Sequence, residues 1–299
     1  MSYARKILPG KTYLVTRRTI CRYFLLRPDD EMKELVEYSL AVAARVYGVK
    51  VHAFCAMSTH IHLVVTDPHG VLPLFLAYFH RFVAMGTKTL RRWEGSMWDS
   101  EQPSVVELLT RKSIVEKIAY VLANPVAAGA VLEPEEWPGA KTRAIDIGQT
   151  VLKTTRPKVY FDATKWRDVV DLPITLPPTI AEAEARAFRD DVATALAHEV
   201  AEARKTIAPE NVLGAKRAAT ISTETRSKTP EPTRKLNPTF AAGRGCGAIA
   251  AAARRAVTAF RAAYREALEQ WSMGNRDVAF PAGTWWMRVF HAVNIGGSI

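Results

Sequence analysis

The sequence is short of cysteine, of acidic residues and of long apolar runs, and each shortage removes a class of protein. Its three cysteines, Cys21, Cys55 and Cys246, stand far apart and form no C-x-x-C pair. That excludes a disulfide framework or a zinc ribbon and fits a reducing, cytoplasmic setting. Cys55 sits in an apolar run and reads as a small buried residue. No stretch of about 20 apolar residues offers a membrane span. The N-terminus has early charges and no apolar signal segment. Repeats at solenoid spacing are missing as well. Asp and Glu number 30 against 41 Lys and Arg, a formal net charge of +11. Such an excess fits a polyanionic partner, and nucleic acid is the commonest.

What is present is enough for a real core: 299 residues, 48% of them hydrophobic, in one large or two ordinary domains. Residues 12–18 have strand composition. Asp29 or Asp30 can cap a following helix, in which Met32, Leu35, Val36, Leu40, Ala43 and Val46 keep helical spacing before Gly48. Residues 49–56 read as a second strand, and Met57-Ser58-Thr59 links it to a third that begins at His60, so the two form a hairpin. Leu72, Phe75, Leu76, Phe79, Phe82 and Val83 give the next helix one apolar face, and Arg81, Lys88, Arg91 and Arg92 make its later part basic. Residues 105–109 supply a last strand.

A helix over residues 113–124 follows. Ser113 and Glu116 have capping-box spacing, and Pro125 is expected to close the helix. Ile114, Ile118, Val121 and Leu122 form its buried stripe, while Glu116, Tyr120 and Asn124, four apart, share a polar face. This order of elements predicts an α+β fold: a ferredoxin-like antiparallel sheet with helices on one side, in residues 1–150. Pro173, Pro177 and Pro178 mark residues 151–179 as an appendix and linker. Residues 180–299 read as a mostly helical, basic extension, with a flexible connection over residues 216–247.

Two stretches carry chemistry. In Met57-Ser58-Thr59-His60-Ile61-His62-Leu63-Val64-Val65, strand alternation puts His60, His62, Val64 and Thr66 on one face and Ile61, Leu63 and Val65 on the other. The two imidazoles lie about 6 to 7 Å apart along the strand, close enough to share a small cation. A His-x-His pair alone is more often an ordinary piece of strand than a metal site. Joined to a helix bearing Tyr120 and an amide one turn later, in a chain of charge +11, it points to phosphate chemistry.

The first stretch resembles the HUH motif of single-strand DNA transposases. Tyr120-Val121-Leu122-Ala123-Asn124-Pro125-Val126-Ala127-Ala128-Gly129 resembles the tyrosine-helix signature of REP-associated tyrosine transposases. The resemblance covers about the first half of the chain, with Ser58-Thr59 where the family usually has Pro-Asn. It implies DNA transposition: cleavage and rejoining of single-stranded DNA by Tyr120 through a 5′-phosphotyrosine. It further implies Mg²⁺ or Mn²⁺ on His60 and His62 and a DNA hairpin beside the cleavage site, and Asn124, one turn after Tyr120, is the best candidate for a third, oxygen ligand. Zinc is open by ligand type. Arg17, Arg18, Arg81, Lys88, Arg91 and Arg92 are the candidate phosphate contacts. The expected particle is a monomer or homodimer in the bacterial cytoplasm, without membrane contact. The alternative expectation is a non-catalytic DNA-binding regulator derived from such an enzyme.

Overall fold

The computed structural model describes residues 4–227 and 238–296. β1 (Lys11–Arg18) leads through a short 3-10 turn into α1 (Asp30–Tyr47), then β2 (Lys50–Met57), β3 (His60–Asp67), α2 (Leu72–Arg91) and β4 (Ser104–Leu108). These strands lie in the order β2-β3-β1-β4, antiparallel throughout. That is the ferredoxin-like arrangement expected from the element order.

Local chemistry fixes the element ends. Asp29 accepts the Met32 amide at 3.1 Å and so caps α1. Gly48 closes α1 in the left-handed conformation, φ 67°. The Asp29 carboxylate also binds Arg91 at 2.7 Å and Arg27 at 2.8 Å, tying the start of α1 to the end of α2. Against the opposing effect of burial, these two cations hold its pKa below the ordinary carboxylate range.

Alternation along β3 divides the sheet. His60 and His62 pair with Arg18 and Thr16 on one side and with Met57 and Cys55 on the other, all on one face. Ile61, Leu63 and Val65 share the opposite face with Arg17, Val15 and Tyr13. Arg17 lies over the Trp98 ring, and the Trp98 indole donates to the carbonyl of His80 in α2, so the crossover helices cover this second face.

α3 (Arg111–Ala127) packs instead on the histidine face, so the sheet lies between helices. The element order alone had placed the helices on one side. Thr110 and Ser113 form its capping box, three residues ahead of the expected Ser113 and Glu116. Pro125 does not end the helix but sits inside its last turn. It costs only one amide donor there, and its carbonyl still accepts from Ala130 at 2.9 Å.

Residues 151–179 are a structural part of the sheet and not an appendix and linker. β5 (Thr150–Thr155) and β6 (Val169–Ile174) pair antiparallel, and β6 joins the free edge of β2. The cause is a period of two in which Val170, Leu172 and Ile174 are buried. α4 (Ala185–Arg204) lies along α3, with Phe188, Val192 and Val200 in the main core. α5 (Ala215–Thr220) follows. β7 (Phe240–Ala241) then adds to β4 and completes the order β5-β6-β2-β3-β1-β4-β7. Of the expected flexible connection, residues 228–237 lie outside the described residues. α6 (Gly247–Ser272) and α7 (Trp286–His291) close around a second small core of Ala267, Phe280, Met287 and Val293. Among the described residues no helix is long and apolar enough to cross a membrane.

Candidate active site

On the histidine face a cleft of ≈ 570 Å³ is lined by Thr16, Arg17, Arg18, Arg22, His60, His62, Asp99, Glu101, Lys117, Tyr120 and Asn124, among others. β3 supplies the imidazoles and α3 the phenol and the amide. The two rings of β3 lie edge to face, 4.6 Å between centroids. The Tyr120 ring meets His62 edge to face at 5.3 Å and remains 40% exposed. His60 Nε2 is 3.1 Å from Asn124 Oδ1, and Asn124 Nδ2 donates to the Tyr120 carbonyl at 3.1 Å. The amide plane is therefore fixed from both ends.

A hydroxyl backs each imidazole. Thr16 Oγ1 lies 2.8 Å from His62 Nδ1, and Thr59 Oγ1 lies 2.9 Å from His60 Nδ1. For His62, an Nδ1 that carries the proton and donates to Thr16 leaves the Nε2 lone pair for a cation, whereas His60 Nε2 donates to the Asn124 oxygen and is a ligand only in the tautomer protonated at Nδ1. His62 Nε2 is buried and has no hydrogen-bond partner among the described residues. Burial pushes His60 down to about 4, and Arg18 and Arg22 push the same way while the Asn124 bond opposes them. Burial, with His60 and Arg18 adding to it, holds His62 well below the ordinary imidazole value. Both rings are thus neutral at pH 7, the form that ligates metal.

The donor set is two imidazole nitrogens and one amide oxygen. Among the described residues no group of three His, Cys, Asp or Glu side chains gathers anywhere. The orphaned His62 nitrogen, the backed imidazoles and the adjacent amide oxygen fit a divalent cation with open positions. Nitrogen-rich donors suit Mn²⁺ better than Mg²⁺, which prefers oxygen. All three donors are uncharged, so the ligands themselves leave the cation's charge unbalanced.

The expected residues divide between the two sides of the molecule. His60, His62, Asn124 and Tyr120 come together and Arg18 joins them in the cleft, while Arg17 only borders it, its side chain lying on the opposite face over Trp98. Arg81, Lys88, Arg91 and Arg92 do not line it, because α2 covers the other face. Arg91 is spent on Asp29 and on the carbonyls of Leu25 and Arg27. The cleft also holds cations the sequence reading did not single out. Lys117 places its ammonium 5.5 Å from the Tyr120 ring centre, and its helical spacing from Tyr120 could have revealed it. Arg22 stands in a left-handed turn, φ 54°, and Thr16 is aligned with His62 only by pairing across strands. Neither leaves a mark in local sequence. Glu116 does not cap α3; both its oxygens accept the Arg244 amide, at 3.1 and 3.3 Å.

Comparison with known proteins gives a likeness in fold. The chain is similar to a REP-associated tyrosine transposase bound to a REP hairpin, at 17% identity and a TM-score of 0.42, over 49% of this chain and 84% of that one. It is also similar to a protein of Deinococcus radiodurans assigned as a transposase, at 20% identity and a TM-score of 0.30, over 40% of this chain and 95% of that one. No protein-family model and no curated protein matches the sequence.

Proposed function

We propose that this chain is a transposase that cleaves and rejoins single-stranded DNA, with Tyr120 as nucleophile. The observation that carries the reading is one convergence. A half-exposed phenol, two neutral imidazoles and an amide oxygen meet in a cleft whose rim bears Arg18, Arg22 and Lys117. A core tyrosine or a structural His-x-His pair accounts for no such meeting.

The arginines of the rim draw the DNA backbone into the cleft and orient the scissile phosphate. Tyr120 Oη then attacks phosphorus. One P–O bond forms to the phenol oxygen, the P–O bond to the 3′ oxygen breaks, and that oxygen leaves as a 3′-hydroxyl once protonated. The phenolic proton passes to solvent at the exposed edge of the ring. The 5′-phosphotyrosine conserves the phosphodiester, so attack by another 3′-hydroxyl rejoins strands without a nucleotide cofactor. Lys117 supplies positive charge beside the Tyr120 ring. His60, His62 and Asn124 would hold the divalent cation, Mn²⁺ or Mg²⁺. Bound there, it would polarise the non-bridging oxygens and neutralise charge in the transition state. Thr16 and Thr59 orient the imidazoles for that role, and Asn124 couples the same site to the tyrosine helix.

The substrate expected is a single strand beside an imperfect hairpin. Incubation of such a labelled strand with the protein and Mn²⁺ should give a protein–DNA adduct that survives denaturation. Tyr120→Phe should abolish the adduct and leave DNA affinity within about twofold. Binding of every hairpin without an adduct would favour a regulatory DNA-binding role instead.

A further inference from the structure

A second pocket, of ≈ 290 Å³, adjoins the catalytic cleft. Arg18, Arg22 and His60 line both spaces, so they meet beside the candidate cation site. Arg18 stands opposite His60 across the β1–β3 ladder, which fixes the shared wall. Past that mouth the pocket changes character. Phe24, Met57, Trp137 and Leu213 line it, and Met57 and Trp137 are otherwise buried in the core. Leu213 comes from the C-terminal half of the chain. It is held in place because its amide donates to the Gly129 carbonyl and the Gly214 amide to that of Ala130, each at 2.9 Å.

One polar side chain inside has nothing to bond. Ser58, in the turn between β2 and β3, lines the pocket and is only 8% exposed. Its hydroxyl makes no hydrogen bond among the described residues, whereas that of the neighbouring Thr59 is engaged with His60 Nδ1. A buried hydroxyl without a partner is destabilising, and a ligand that supplies the missing bond relieves it. Cations at the mouth, aromatic and aliphatic walls and one unpaired hydroxyl within suit a ligand with an anionic end and a flat, apolar body whose edge forms hydrogen bonds. A nucleotide has that form. A base stacked in a duplex cannot enter such a pocket, but an unstacked one can.

We propose that this pocket receives the unpaired base next to the scissile phosphate, with Ser58 Oγ bonded to the edge of that base. The inference rests on the reading of the cleft as a DNA site and adds to it a residue that selects the cleavage position. A base held there fixes which phosphate of the strand reaches Tyr120. It also gives the C-terminal half, through Leu213, a part in the substrate site.

The test uses the full chain carrying Tyr120→Phe, so that binding is measured without chemistry. Affinities for oligo(dA), oligo(dC) and oligo(dT) of about 16 nucleotides, and for a strand of the same length made of abasic sites, are measured by anisotropy across a range of salt. One homopolymer should bind about tenfold or more tighter than the abasic strand. Ser58→Ala should weaken that homopolymer about threefold or more. It should leave the abasic strand and the salt dependence unchanged, with the thermal midpoint of the free protein no lower. Arg18→Ala should instead lower the slope of log K against log salt by about 0.7 for every strand. A photoreactive analogue of the preferred base should crosslink to peptides carrying Phe24, Met57 or Trp137. Equal affinity for the homopolymers and the abasic strand, an unchanged preference in Ser58→Ala, or crosslinks only outside the pocket would overturn the proposal. Failure of every strand to bind, the abasic one included, would instead refute the reading of the cleft.

Discussion

His60 and Asn124, 64 residues apart in the chain, meet through Nε2 and Oδ1 at 3.1 Å. One sits at the first residue of a strand and the other in the last turns of a helix across the sheet face. The bond ties the candidate cation site to the helix that carries Tyr120, because the same amide also donates to the Tyr120 carbonyl. Replacing Asn124 by Ala should therefore weaken Mn²⁺ binding about tenfold or more, by titration calorimetry, with DNA affinity in chelator unchanged.

Thr16 acts on His62 from the strand beside it, at 2.8 Å. Thr16→Val leaves a buried ring nitrogen without a partner and should cost about 1–3 kcal/mol of stability. It should also lower Mn²⁺ affinity by about 10–100-fold, and Thr16→Ser should recover both. Equal Mn²⁺ affinity in the Val variant would show that the hydroxyl does not orient the ring.

The three candidate ligands are all neutral, so the anionic substrate should complete the site. Mn²⁺ affinity measured with Tyr120→Phe is expected to rise about tenfold or more when the single strand is bound, and the strand's affinity to rise by the same factor with Mn²⁺. Independence of the two would contradict a shared site.

Glu116 ties α3 to the C-terminal half by accepting the Arg244 amide. Thr110 donates to the Ala242 carbonyl at 2.7 Å one turn earlier. Glu116→Ala is expected to slow adduct formation while leaving Mn²⁺ affinity unchanged, because it loosens the helix that carries Tyr120 and touches no ligand. Single-turnover rates alongside calorimetry separate the two effects.

Acid sensitivity should come from His52 as well as from the site. Its ring is fully buried, with Nδ1 on the Thr175 carbonyl at 2.8 Å and Nε2 on Thr66 Oγ1 at 2.7 Å, and burial pushes it down to about 4. The ring is neutral in the folded state but takes a proton in the unfolded chain below its ordinary 6.5. The unfolded state then binds more protons, so stability is full above pH 6.5 and falls as the pH drops toward about 4. The loss is on the order of 3 kcal/mol, seen as a falling urea midpoint over that window. A flat profile would contradict it.

Much of the fold was legible because its signals are local. Asp29 and Gly48 bracket α1, the alternation of β3 sorts its two faces, and the apolar stripe of α2 marks its buried side. The convergence of His60, His62, Tyr120 and Asn124 also followed from periodicity joined to the family motifs. What could not be read depends on residues brought together from afar. Which side of the sheet receives α3 is a tertiary fact, and it decides that Arg18 reaches the cleft while the side chain of Arg17 and those of Arg81, Lys88, Arg91 and Arg92 do not. Prolines hid two elements: Pro173 made a sheet strand look like linker, and Pro125 looked like a stop although it costs one bond near a helix end. Thr16 became a candidate only once register put it opposite His62.

The most direct measurement of the central claim is mass spectrometry of the protein–DNA adduct after protease and nuclease digestion. A nucleotide attached through its 5′-phosphate to the phenol oxygen of Tyr120, on a peptide from α3, is the expected product. A nucleotide on any other side chain, or DNA cut with no covalent protein intermediate, would contradict it.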